Sequence, residues 1–185
     1  MSDSLAIPAL TEDLVRVLID ANTIERRVDE LARQISADYS GTQGNLLVVG
    51  VLKGAFIFTA DLTRKLTVDH VVDFIALSSY KGDTSGNVRL LMDTRENMEG
   101  RHVLIIEDIL DSGNTLDYLI RSFKTRNPAS VKTAVLLDKP DRHVLPVAID
   151  YVGFTIPDIW VVGYGLDYAE KHRTLPYIAE MYPQA

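Results

Sequence analysis

Short apolar runs bounded by turn residues alternate along the chain with stretches in which apolar positions recur every three or four residues. Leu14–Ile19 reads as an early strand near a sheet edge. Ile24, Val28, Leu31 and Ile35 then fall on one face of a helix, with Asn22 or Thr23 as candidate N-cap and Gly41 beyond its end. Leu46–Val51 is an unbroken apolar run of the kind that suits a strand covered on both faces. Ala55–Leu66 returns to helical spacing through Phe56, Ile57, Ala60 and Leu62. Val71–Leu77, Val88–Met92, Val103–Ile106 and Val131–Leu137 read as further strands, and Leu116–Lys124 as a helix ended by Asn127-Pro128. Tyr151–Phe154 and Trp160–Tyr164 form the last regular stretch. Strands alternating with helices predict an α/β fold whose sheet is doubly wound, mostly parallel and flanked by helices. The sequence has no internal repeat and no low-complexity segment.

Bulk properties narrow this picture. A chain of 185 residues suits one domain with a proper core. A formal charge of −7 leaves no basic excess to displace counterions from phosphates, so general nucleic-acid binding is not expected. The absence of cysteine excludes a disulfide framework, a thiolate nucleophile and a cysteine metal site. Met1–Leu10 has neither the basic start nor the apolar core of a signal peptide, and the longest apolar runs fall well short of a bilayer span. A cytoplasmic protein without a membrane partner is the expectation.

Chemistry concentrates in Arg101–Leu119. There the apolar run Val103–Ile106 meets Glu107, Asp108 and Asp111, followed by Ser112-Gly113-Asn114-Thr115 and a helical pattern. Such a turn offers backbone N–H groups, hydroxyls and a helix N-terminus to an anion. Carboxylates beside a phosphate make sense when they face hydroxyls, a proton to be taken, or a metal-bound second anion. The segment therefore implies a phosphorylated sugar with Mg²⁺. Alone, it also fits acids that solvate a strand end ahead of an ordinary turn.

Other loops carry weaker signals. Leu52-Lys53-Gly54 puts a cation and exposed N–H groups after a strand, at the sheet edge where open α/β proteins bind ligands; a surface lysine beside a turn glycine fits equally. Ser78–Asn87 is a long polar loop that suits a passive hairpin or a mobile lid. Lys139, at a strand end, and Trp160, the only tryptophan, have ordinary structural uses as a solvated terminus and an anchor.

Taken together, these residues resemble the type I phosphoribosyltransferases, and the wording EDILDSGNT over Glu107–Thr115 resembles their hypoxanthine-guanine branch. The resemblance runs from about Val48 to Arg173 and includes LKG at Leu52–Gly54 and VGFTIPDIWVVGYGLDYAEKHR at Val152–Arg173. It implies the fold of that family, with a small hood from parts of residues 1–20 and 150–185 and a lid over about 78–92 carrying Ser79 and Tyr80. It implies 5-phospho-α-D-ribosyl 1-diphosphate (PRPP) as sugar donor, Mg²⁺ as cofactor, and purine salvage that yields IMP or GMP plus diphosphate. Asp111, Ser112, Gly113, Asn114 and Thr115 would hold the 5′-phosphate, with Glu107 and Asp108 facing the ribose hydroxyls. Asp111 would be the general base toward purine N7.

The same resemblance implies that Leu52, Lys53, Gly54 and Arg173 bind diphosphate, with a cis peptide between Leu52 and Lys53. Lys139 would donate to the purine O6, Trp160 would stack on the base, Val161 would read its edge, and Asp167 would lie beside it. Asp167, Glu107 and Asp108 are the candidate metal ligands. Family members form homodimers or homotetramers. A rival reading is an RNA-binding regulator of pyrimidine operons built on the same fold; the acidic charge, Lys139 and the WVVGYGLDY string oppose it. A third keeps the enzyme and changes the base to xanthine.

Overall fold

The computed structural model describes residues 13–42, 44–79 and 88–182. Nine strands and three α-helices are described: β1 Leu14–Ile19, α1 Ala21–Asp38, β2 Leu46–Leu52, α2 Phe56–Thr63, β3 His70–Ser79, β4 Val88–Met92, β5 His102–Leu110, α3 Asn114–Lys124, β6 Ser130–Asp138, β7 Tyr151–Thr155, β8 Val161–Val162 and β9 Ile178–Met181. A short 3-10 turn at Pro140–Arg142 follows β6.

Six strands form one sheet in the order β4-β3-β2-β5-β6-β7. Every neighbouring pair is parallel except β3–β4. The alternation of β2 and β5 divides the core. Leu46, Val48, Leu104 and Ile106 share one apolar cluster with Ile24, Val28, Leu31 and Ile35 of α1 and Phe58 and Leu62 of α2. Leu47, Val49, Val103 and Ile105 share the other with Leu116, Leu119 and Phe123 of α3. With both faces covered, β2 and the first half of β5, Val103–Ile106, carry no polar side chain, as the sequence pattern implies. The chain steps from β2 to β3 on one side and from β5 through β6 to β7 on the other, so the winding reverses between β2 and β5.

Three strands lie apart from the main sheet, paired antiparallel in the order β1-β9-β8. Terminal segments thus make a small second sheet, while β7 belongs to the main one. Residues 1–12 of the expected hood, and Tyr80 with the rest of the loop 80–87, lie outside the described residues. The bases of that loop pair as a hairpin, Ser78 opposite Arg89.

Several boundaries differ from the sequence expectation. Asp20, rather than Asn22 or Thr23, caps α1: its Oδ1 accepts from the Thr23 backbone N–H at 2.9 Å and its Oδ2 from the Thr23 hydroxyl at 2.8 Å. The carboxylate of Asp20 is held below its ordinary range by those two hydrogen bonds. Strand β5 does not end at the acids but carries on to Leu110, pairing with β6 as far as Asp138. Trp160–Tyr164 contains only the two-residue strand β8, and β9 follows it.

Candidate active site

The strand pattern brings the predicted loops to one edge. The carboxyl ends of β2, β5, β6 and β7 lie side by side, with the β2/β5 reversal among them. Gly54, just past β2, sits directly against Asp108 of β5: the Asp108 carboxylate fills the space a Cβ on Gly54 would need. On its other side the Gly54 carbonyl occupies the Cβ position of Gly165. A strand loop, an acidic strand and the C-terminal loop therefore meet at a contact that only hydrogen side chains allow. The Leu52–Lys53 peptide in this loop is cis.

At Asp111–Thr115 the chain turns from β5 into α3. Gly113 is the helix N-cap with φ 88°, a left-handed conformation that favours glycine, and it has no side chain to cap the helix; only the Asn114 N–H finds one, the Ser112 hydroxyl at 3.4 Å. The Ser112 carbonyl accepts from the N–H groups of Val144 and Leu145 at 3.0 and 3.3 Å, which braces the turn from below. The Ser112 hydroxyl accepts from Asn114 Nδ2 at 3.1 Å. Residues Glu107 through Gly113, with Thr115 and Leu116, line a cavity of about 230 Å³. A helix start opening on such a cavity offers its free N–H groups and the positive end of the helix dipole to an anion.

Two carboxyls border it. Glu107 and Asp108 are both pushed above the ordinary carboxylate range, chiefly by burial, and Glu107 further by the charge of Asp108. The Arg173 guanidinium acts on Asp108 in the opposite sense. Glu107 Oε2 is buried without a hydrogen-bond partner among the described residues. A buried, unpartnered carboxylate oxygen beside a second acid suits a hydroxyl donor or a hard cation such as Mg²⁺, which binds through one or two carboxylates and keeps its other positions for substrate oxygens and water. Among the described residues no three His, Cys, Asp or Glu side chains are gathered so as to hold a metal, so Asp167 does not join Glu107 and Asp108 in one cluster.

Asp167 lies instead in a tight ionic loop. Its Oδ1 pairs with Arg173 Nη2 at 2.7 Å and its Oδ2 accepts from the Glu170 N–H at 2.8 Å. Arg173 Nη1 donates to the Gly165 carbonyl at 2.8 Å, and the Gly165 N–H returns to the Arg173 carbonyl at 2.8 Å. Lys53 reaches this loop through Glu170, at 3.0 Å. The four residues assigned to diphosphate are thus together: Leu52 ends β2, Lys53 and Gly54 follow, and Arg173 stands across from them.

Lys139 is buried at the end of β6, with its Nζ 3.8 Å from Asp158 and its N–H on the Leu110 carbonyl at 3.0 Å. Trp160 is 57% exposed, which removes the anchor reading and leaves an aromatic face open to a ligand. Its ring meets Tyr168 edge-on at 6.2 Å. Val161 is buried in β8 opposite Glu180. Ser79 ends β3, and its side chain, like the whole of Tyr80, lies outside the described residues.

Three further residues enter the site that sequence reasoning missed. Arg142 Nε donates to Asp111 Oδ1 at 2.9 Å and its Nη1 lies 3.8 Å from Asp158, so Asp111 is paired in this state. Asp158 links Arg142 to Lys139, and Glu170 links Lys53 to Arg173. Single charges in loops carry no periodic signal that would have singled them out.

Fold and site together define a doubly wound α/β protein whose crevice at the β2/β5 switch point offers donors and carboxyls suited to a sugar phosphate. The comparisons with known proteins agree. Residues 18–169 match the phosphoribosyl transferase domain. The chain is 44% identical to the hypoxanthine phosphoribosyltransferase of Escherichia coli K12, over 90% of this chain and 95% of that one. It is also similar to a hypoxanthine phosphoribosyltransferase of Trypanosoma cruzi solved in complex with the product IMP, with a TM-score of 0.89, 44% identity, and coverage of 95% and 98% of the two chains. A bifunctional TilS/HprT protein of Listeria innocua is 46% identical over 95% of this chain, which spans only 27% of that longer protein. The chain belongs to the phosphoribosyl transferase family.

Proposed function

We propose that this chain transfers the 5-phosphoribosyl group of PRPP to N9 of hypoxanthine and guanine, releasing diphosphate and forming IMP or GMP. One observation carries the reading: Gly54 is packed between Asp108 and Gly165, so the diphosphate-type loop, the ribose-facing acids and the base-binding segment share one site. Support also comes from the relatives: one is named a hypoxanthine phosphoribosyltransferase, and another was solved in complex with the product IMP.

In this reading the N–H groups at the start of α3 and the Ser112 and Thr115 hydroxyls bind the 5′-phosphate, helped by the helix dipole. Glu107 and Asp108 accept from the ribose 2′- and 3′-hydroxyls and stabilise the oxocarbenium-like transition state. Lys53, the N–H groups about Gly54 and Arg173 receive the leaving diphosphate. Glu107 and Asp108 are the groups that would hold Mg²⁺, which would supply neutralising charge to the leaving diphosphate; Asp167, outside that pair and bound to Arg173, would act by holding Arg173 in place. N9 of the purine forms its bond to C1′ as the C1′–oxygen bond breaks and its electron pair leaves with diphosphate. Asp111, once released by Arg142, takes the proton from N7. Lys139 only donates, so it favours a 6-oxo group over a 6-amino group, and Trp160 stacks on the base. Ser79 and Tyr80 would belong to a lid that shields the cationic sugar from water. We assign the active assembly as a homodimer or homotetramer working in the cytoplasm. No helix of the described residues is long and apolar enough to cross a membrane.

The test is diphosphate release from PRPP and Mg²⁺ with hypoxanthine, guanine, xanthine, adenine or uracil offered separately. Release with hypoxanthine and guanine and none with adenine is the expected result. Release with uracil alone, or with no base, contradicts the proposal.

A further inference from the structure

Glu170 occupies an unusual position for a surface acid. One oxygen, Oε2, accepts from both cations assigned to diphosphate, Lys53 Nζ at 3.0 Å and Arg173 Nη2 at 3.4 Å. The carboxylate is held below its ordinary range chiefly by the Lys53 hydrogen bond. Nothing about a helix or strand places it there. It is delivered by a turn in which Ala169, Glu170 and His172 all have positive φ, of 50°, 63° and 69°, a conformation L-residues rarely adopt. The turn is pinned where Asp167 Oδ2 accepts the Glu170 N–H.

The two cations differ in how firmly they are set. Arg173 is 18% exposed and tied to Asp167 and the Gly165 carbonyl, whereas the side chains of Lys53 and Glu170 are 66% and 65% exposed. Glu170 and Lys53 can therefore separate without disturbing the loop. A diphosphate oxygen arriving between Lys53 and Arg173 would meet a carboxylate already there, of the same charge and hydrogen-bonding kind.

We infer that Glu170 is an internal competitor for diphosphate: its carboxylate holds the Lys53–Arg173 subsite in the ligand-free protein and must swing out before diphosphate binds. This rests on the assignment of that subsite under the proposed function. Its consequence is a lowered affinity for the diphosphate group, on the donor as it binds and on the product as it leaves. The effect is modest, because ion pairs this exposed are weak.

The experiment is calorimetric titration with diphosphate, with and without Mg²⁺, of wild type, Glu170→Gln, Lys53→Ala and the double variant. Glu170 is exposed and off the core, and a thermal melt checks that each variant is folded. Glu170→Gln binds diphosphate about two- to fivefold tighter than wild type, the range a weak ion pair allows. In the Lys53→Ala background the same substitution changes affinity less, because the closer of the two pairs is already gone and only the longer one to Arg173 remains. Unchanged or weaker binding by Glu170→Gln, while Lys53→Ala weakens it, overturns the inference and leaves the subsite standing. Weaker binding only when Mg²⁺ is present would make Glu170 a metal ligand, which also overturns it. Wild-type affinity in both single variants removes the subsite assignment and the inference together.

Discussion

Glu107 and Asp108 are adjacent on β5, and burial holds both above the ordinary carboxylate range, Glu107 further because of the charge of Asp108 beside it. A pair in that state works against the fold. Above the ordinary value of 4.5 the native protein binds more protons at Glu107 than the unfolded chain, so stability falls as pH rises through that window. Replacing Glu107 by Gln removes the burden. The variant should be more stable at neutral pH by about 0.5–2 kcal/mol, the gain usual for relieving a functional group. For a chain of this size that is roughly 2–4 °C per kcal/mol. The gain should vanish below about pH 4, where the glutamate is protonated folded or unfolded. Melting curves across pH check this, and a destabilised variant at pH 7 contradicts it. At this scale the sequence was most informative where acids crowd a turn. It was silent about Arg142, Asp158 and Glu170, whose roles depend on partners distant in sequence.

In the proposed reading the element that carries the chemistry is β5 with its turn and α3. Its apolar half, Val103–Ile106, is plain in the sequence because strands covered on both faces lack polar positions. Its second half is hidden: Glu107 and Asp108 look like a strand end, although pairing with β6 carries the strand on to Leu110. Tertiary pairing overrides local composition here, and function needs it, since the strand carries the carboxyls to the cavity. Short elements were the least legible. Strand β9 has four residues and β8 two, and both are stabilised by the antiparallel pairing with β1 or with each other rather than by any local pattern.

The neighbouring loop tests how closely these elements must fit. Gly54→Ala would drive a methyl into the Asp108 carboxylate. The clash involves a side chain at an open edge, so the fold should survive while the carboxylate is displaced. Melting should stay within a few degrees of wild type, with diphosphate affinity down by about tenfold or more. Wild-type affinity in calorimetry would mean that the Gly54–Asp108 contact does not shape the site.

For the whole molecule, what matters is where the winding reverses. Because β2 and β5 are neighbours and their connections run to opposite sides, Lys53-Gly54 and Asp108–Thr115 open onto a common crevice, and β6 and β7 bring Lys139 and Asp158 alongside. The small sheet β1-β9-β8 holds Trp160 and Val161 against β9, with Val161 opposite Glu180 and the Met181 N–H on the Trp160 carbonyl. The alternation of strands and helices, and hence the parallel sheet, is legible in the sequence. The joining of the first and last described strands into a second sheet was expected only from the family resemblance and from no residue pattern, because β1 and β9 are more than 150 residues apart and carry no marker for each other.

The central claim is that one crevice holds phosphate, ribose and purine together. Its most direct test is the crystal structure of this chain soaked or grown with IMP. The account places the phosphate on the N–H groups of residues 112–115, the ribose hydroxyls at Glu107 and Asp108, and the hypoxanthine ring on Trp160 with O6 at Lys139. IMP bound elsewhere, or bound with its base away from Lys139 and Trp160, would contradict it.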